Sequence, residues 1–270
     1  MRSNSRHLQT TRWYSRPKTR TLSSCRFLHV AASGHTAAAP PAGTLARMCK
    51  RLVIPEQDDA EREVSVAQRW WRFSVRFNVA VTHRVPVARL HEWDTEGVMM
   101  RWGFVPSADE RQEGRVGAAF VRSDAVMGSH DYRKAWLYGQ RCVVPLAGFY
   151  MWHLSNTGVR QPFYVRLVNR AVFGVAALWE RTVIDGDDVI DSCALLTVPA
   201  NPLMAEIDQN RQMPAILRRE DYERWLTATA GRAQALLQPY PLERMVTHPV
   251  GPRVNYLEYD DPWLIRPAEL

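Results

Sequence analysis

The sequence predicts an α+β domain: a strand-rich mixed sheet or barrel-like core with peripheral helices. Short β-rich runs bounded by turn residues recur between residues 77 and 198. The helical stretches are few and set outside those runs. Nothing shows the regular strand–helix–strand alternation that would call for a parallel sheet. Residues 48–270 are long enough for one domain with its own core. No apolar run approaches the length that a membrane helix requires.

In chain order, Pro55 sits where a first helical turn tolerates proline and acidic residues follow early, so 55–71 is expected to be a helix. Strands are expected at 77–81, 85–90 and 98–102. A second helix is expected over 129–138, with Ser129 as its cap and Gly139 as its stop. Strand signals resume at 141–144, 149–153, 163–167, 172–178 and 193–198. A short helix at 202–207, a strand at 215–217 and a helix at 220–226 complete the series. Ser155-Asn156-Thr157-Gly158 and Asp185-Gly186-Asp187-Asp188 have the composition of hairpin turns.

Charge is unevenly placed. The chain carries 35 basic and 28 acidic residues, but residues 1–47 hold seven Arg, one Lys and no acidic residue. The remainder is therefore close to neutral, and the high overall pI does not indicate a basic DNA-binding surface on the folded part. Scattered apolar residues, Pro40-Pro41 and Ala37-Ala38-Ala39 make 1–47 an expected disordered extension. A mis-assigned start codon, an organelle presequence and a basic tail are the competing explanations. The first is preferred, because a presequence should show an amphipathic helix. Cys25, Cys49, Cys142 and Cys193 are far apart without C-x-x-C spacing, which suggests neither a zinc site nor a disulfide framework. Reduced thiols fit a cytoplasmic protein, and no metal or cofactor is expected.

Cys49 directly follows Met48. Alone, that pair reads as an accidental dipeptide. If translation begins at Met48, removal of the initiator leaves a cysteine whose α-amine and thiol share one carbon frame. The amine condenses with an aldehyde and the thiol closes on the imine carbon, giving a five-membered thiazolidine. A free α-amine (pKa about 8) and a thiol (about 8.5) both titrate close to neutrality.

Several blocks then occur in order: Met48-Cys49-Lys50-Arg51, Asn78-Val79-Ala80-Val81-Thr82, Trp102-Gly103-Phe104-Val105-Pro106 and Gly139-Gln140-Arg141-Cys142-Val143-Val144-Pro145. Gly148-Phe149-Tyr150-Met151-Trp152, Phe173 to Glu180, Thr197 to Asn201 and Met213 to Leu217 follow. From 48 to about 255 the chain resembles the SOS-response-associated peptidase family, whose members process abasic sites in DNA and start at the methionine before the cysteine. The resemblance implies a covalent thiazolidine adduct on single-stranded DNA, and a peptidase that acts on its own N-terminus to expose Cys49. It also implies work at the nucleoid during repair, without a membrane or a small-molecule cofactor, and leaves the oligomeric state open. In the family a Glu in Gly-Phe-Tyr-Glu-Trp moves protons, an Asn in Asn-Ala-Arg-x-Glu positions the reactants, and a His before Arg-Met-Pro contacts the sugar–phosphate.

This chain departs at those positions. Met151 stands where the Glu is expected, and a thioether carries no proton. The Asn segment reads Phe120-Val121-Arg122-Ser123-Asp124, keeping Arg122 and replacing Glu by Asp124. The region before Met213-Pro214 is one residue shorter, so either Asp208 or Asn210 falls at the His position. Catalytic candidates are therefore Cys49, Asp208, Asp124 and the Met151 position. Loss of the Glu is expected to slow the reaction, since positioned acid–base groups contribute about 10²–10⁴-fold. Arg51, Arg122, Arg141 and Arg211 are candidate phosphate contacts, and ordinary surface arginine is the better reading for all but Arg51 and Arg122. Trp102 reads as core from its context, while the resemblance places it beside DNA, where it would stack on a base. Cys142 and Cys193 lie in apolar runs that favour buried, inert thiols. His83, His130, His153 and His248 have no metal or triad spacing. A non-catalytic paralogue that binds single-stranded or damaged DNA is the alternative function.

Overall fold

A computed structural model describes residues 51–106, 117–183 and 188–268. The chain lays down β1 (Arg51–Ile54), α1 (Gln57–Val64), β2 (Gln68–Arg69), β3 (Arg76–Ala80), β4 (Arg84–His91), β5 (Asp94–Trp102) and β6 (Phe120–Arg122). Next come α2 (His130–Leu137), β7 (Arg141–Leu146), β8 (Gly148–Leu154), β9 (Arg160–Leu167), β10 (Phe173–Val183) and β11 (Val189–Pro199). After these come α3 (Pro202–Ile207), β12 (Gln212–Pro214), α4 (Tyr222–Thr227), α5 (Ala230–Gln234) and β13 (Met245–Pro249). The fold is α+β, and all described residues belong to one compact unit.

Strands β11, β10, β7, β4 and β5 are hydrogen-bonded in that order, and a parallel contact from β5 back to β11 closes them into a ring. The closing seam is short, matching Ser192 to Arg101 and Cys193 to Trp102. Gly103 extends it by donating its N–H to Cys193 O at 2.9 Å. The turn that follows needs φ +125° at Gly103, which explains the glycine after Trp102. The ring interior is filled by Val85, Val87, Met100, Trp102, Val144, Val175, Ala177 and Leu195, each with almost no exposed surface.

A second sheet runs β13-β9-β8-β1-β3. Its inner face, with Leu52, Val79, Phe149 and Val165, joins the main core. Its outer face carries Val53, Tyr150 and Tyr164, which pack against Val250, Val254 and Leu264 of the C-terminal segment. Asn78 ties that segment down: its Nδ2 donates to Tyr256 O and Tyr259 O, both at 2.9 Å. Asp260 completes the tie by accepting the N–H groups of Phe77 and Asn78 and pairing with Arg76.

The first helix is shorter than the expected 55–71. It ends at Val64 because Ser65 adopts the left-handed conformation (φ 51°), and Gln68–Arg69 then pair with β5 as a strand. Trp71, which looked like a helix continuation, lies buried on Gly97, where any Cβ would meet the indole at 2.6 Å. Ser129 stands at the N-cap of α2 without a side-chain cap bond, and Gly139 (φ +72°) ends that helix region. The strand expected at 215–217 is displaced to β12, leaving only a Val175–Ile216 bridge. The Asp185-Gly186-Asp187 turn lies outside the described residues, although its flanks pair from Val183 to Val189.

Candidate functional site

Residues 1–50, and with them Met48 and Cys49, lie outside the described residues. The strand that follows Cys49 by two residues is β1, hydrogen-bonded on both sides, with Arg51 opposite Ala80 of β3 and Tyr150 of β8. Directly opposed residues share a face, so Arg51 lies on the Tyr150 side of the sheet. Met151, next along β8, points to the other face. The two positions are neighbours in register and are separated by the sheet.

On the Met151 side a polar chain gathers at the end of α3. Met151 is 1% exposed and belongs to the main core. His153 shares its face, and its Nδ1 lies 3.1 Å from Glu206 O, two residues before Asp208. Asp208 ends α3 and is buried. One carboxylate oxygen accepts the Gln212 N–H at 3.1 Å and the other accepts Asn210 Nδ2 at 3.3 Å. Burial pushes its carboxyl above the usual range, against the pull of those hydrogen bonds. Thr197 Oγ1 donates to Gln212 Oε1 at 3.0 Å in a fully buried contact. Thr197 is in turn matched with Arg122 across the β11–β6 ladder. Asp208, Thr197 and Arg122 are therefore linked through β12, β11 and β6, while α3 packs on the strand that carries Met151.

Asp124 is engaged by Arg122, with Nε–Oδ1 at 3.0 Å and Nη2–Oδ2 at 2.5 Å. That guanidinium holds the Asp124 carboxyl below its ordinary value, which suits an anion and not a proton donor. Phe120 is buried edge-to-face on Trp102 with ring centroids 5.6 Å apart. Trp102 has no exposed surface, and its Nε1 donates to Ala119 O at 3.0 Å. Burial corrects the stacking expectation for Trp102, which is a core residue. Arg211 is exposed at φ 52° in the turn organised by Asp208. Asn210, the other residue considered for the family's His position, is exposed beside it.

Other motif residues have structural work. Arg141 is 3% exposed, and its guanidinium donates to Trp225 O at 2.7 Å and to Ala228 O, closing the end of α4. It is a buried clamp and not a phosphate contact. Asn201 caps α3 by accepting the Met204 N–H at 2.9 Å and donates to Tyr240 O at 2.7 Å. Cys142 and Cys193 are fully buried; burial raises the Cys142 thiol strongly and pushes Cys193 up to about 12, which keeps both protonated. Among the described residues no three His, Cys, Asp or Glu side chains form a metal-ligand group.

Sequence reasoning weighed His83 only for metal or triad spacing and read it as a structural or exposed residue. Burial first, then the nearby Arg76 and Arg51, press its pKa down, while Asp260 opposes them. The signal available was the number of arginines around it in sequence, at 72, 76, 84, 89 and 101.

A family profile described as "SOS response associated peptidase (SRAP)" matches residues 48–257. The abasic site processing protein YoqW of Bacillus subtilis is 27% identical over 228 residues, covering 81% of this chain and 99% of YoqW. The abasic site processing protein HMCES of Gallus gallus is 29% identical over 199 residues, covering 63% of this chain and 57% of HMCES. Among solved structures, a protein from Bordetella bronchiseptica superposes with a TM-score of 0.66 at 24% identity, covering 75% of this chain and all of that one. At that identity the likeness establishes the fold.

Proposed function

Because the chain belongs to the SOS response associated peptidase family, we propose that it processes abasic sites in single-stranded DNA through Cys49. The Cys49 amine is freed either by the chain's own peptidase activity or by translation from Met48 and loss of the initiator. It attacks the C1′ aldehyde of the ring-opened sugar and expels water to give an imine. The thiolate adds to the imine carbon, the nitrogen takes up a proton, and a thiazolidine joins protein to DNA. One water leaves overall, and neither oxidant nor cofactor is consumed.

The observation that carries this reading is that the family match opens on the Met48-Cys49 pair itself. Arg51, Arg122 and Arg211 are assigned to the sugar–phosphate backbone. Asp208 is assigned the proton transfer that Met151 cannot perform, because burial makes its carboxyl hold a proton more firmly than an ordinary Asp. Its engagement with Gln212 and Asn210 makes the transfer slower than that of a free carboxylate. Asp124, engaged by Arg122, is assigned to holding that guanidinium.

The test is incubation of protein beginning at Cys49 with single-stranded DNA bearing one abasic site, followed by denaturing electrophoresis. A heat-stable adduct is expected, lost in Cys49→Ala and retained in folded Cys142→Ala and Cys193→Ala. Equal yield from Cys49→Ala refutes the thiazolidine route. A second reading, binding without an adduct, draws support from Met151 and Phe120 being packed as core residues.

A further inference from the structure

Outside the Met151–Asp208 region, a groove of about 540 Å³ opens beside the β3–β4 turn. Its charged or titratable lining side chains are Arg72, Arg76, His83 and Arg84, and its apolar floor includes Phe73 and Met99. None of its lining residues is acidic. Arg84 stands directly opposite Arg101 in the β4–β5 ladder, a like-charge pairing that weakens a sheet unless an anion lies over it. The flanking carboxylates are committed elsewhere: Asp260 to Arg76 and the β3 backbone, Asp191 to Arg181 at 2.7 and 2.8 Å. Arg72 and Arg84 are exposed. The groove has the volume of a small-ligand site, and its chemistry is cationic walls around an aromatic and aliphatic floor. That combination suits the backbone and one base of a single-stranded nucleic acid, where phosphates take the arginines and a base rests on an apolar face.

We propose that this groove is an additional DNA subsite, holding phosphates of the single strand on the side of the molecule where Arg51 lies. It rests on the reading that the substrate is single-stranded DNA. Arg51 links it to the start of β1, since Arg51 and Arg76 both act on His83. The subsite adds binding energy away from the reacting sugar, so it sets affinity and strand placement and leaves the chemistry to Cys49. Burial is the first cause of the depressed His83, and a phosphate would relieve the second, the charge of the neighbouring Arg76 and Arg51.

The experiment compares the full chain with Arg72→Ala/Arg84→Ala, using fluorescence anisotropy of a labelled oligothymidylate across a salt series. Two lost phosphate contacts should weaken binding and reduce the slope of log K against log salt by about 1.4. In the parent protein, the NMR titration of His83 should move to higher pH when the oligonucleotide is bound. A parent that binds DNA but shows an unchanged slope in the folded double variant, or an unmoved His83, overturns the subsite and leaves the proposed function standing. A parent with no affinity for single strands overturns both. Matched unfolding midpoints of parent and variant ensure that a lost slope reflects charge and not misfolding.

Discussion

Met151 and Asp208 carry opposite consequences for one reaction. Met151 is a core side chain, so Met151→Glu places a carboxylate among apolar neighbours and lowers the melting temperature. The same burial raises the pKa of the new group towards neutrality, where a general acid works best. Adduct formation by the folded variant should accelerate by roughly tenfold or more, about 1.4 kcal/mol of barrier per factor of ten. A folded Met151→Glu protein that reacts no faster argues for the binding-only reading. Asp208→Asn keeps an acceptor for the Gln212 N–H but removes the proton carrier, and should slow the adduct by about 10²-fold or more. Because the folded pKa of Asp208 is raised, its contribution to stability is fully present below the unfolded value. It is lost as pH rises through the folded one. The variant should therefore gain stability relative to the parent as pH rises above the unfolded value of about 4 in chemical denaturation. An unchanged rate in Asp208→Asn would reduce Asp208 to a turn-builder.

At the scale of the element, β3 and the C-terminal segment depend on one amide. Asn78→Ala removes two hydrogen bonds to Tyr256 O and Tyr259 O and should destabilise by about 1–2 kcal/mol, read from denaturant midpoints. The loss stays modest because Oδ1 of Asn78, buried without a partner among the described residues, goes with it. The long strands were legible because β4, β7 and β11 carry four or more apolar or β-branched residues between clear turn signals. Strands β1, β2 and β6, of four, two and three residues, were not, since so short a stretch has no period to read. Their place comes from tertiary partners: β1 from β3 and β8, β6 from β11. The site was legible as a set of motif positions but not as an arrangement. Nothing in the order of residues says that Asp208 would be tied to Gln212, or that a sheet would separate Arg51 from Met151. Trp102 illustrates the limit, because the same Trp-Gly pair fits an exposed stacking platform or a seam residue, and only the β5–β11 contact decides.

For the whole molecule, the matched domain and the acid-free stretch before it make different demands on the amino terminus. The native, reactive form is expected to begin at Cys49, as intact-mass analysis of endogenous protein can establish. A recombinant chain whose intact mass shows residues 1–47 still attached should yield no thiazolidine, since the Cys49 amine is then locked in a peptide bond. Intact protein starting at Met1 that still crosslinks would count against the mechanism. The tie between Asp260 and β3 also bears on synthesis. Residues 77 and 78 wait for a carboxylate more than 180 positions later in the chain. While the nascent polypeptide is emerging from the ribosome, that edge stays open to strays, because an unpaired strand recruits other strands. Contacts of such long sequence separation also form late. A chain truncated just before Asp260 should therefore leave that edge unpaired and aggregate, as sedimentation of the refolded product would show.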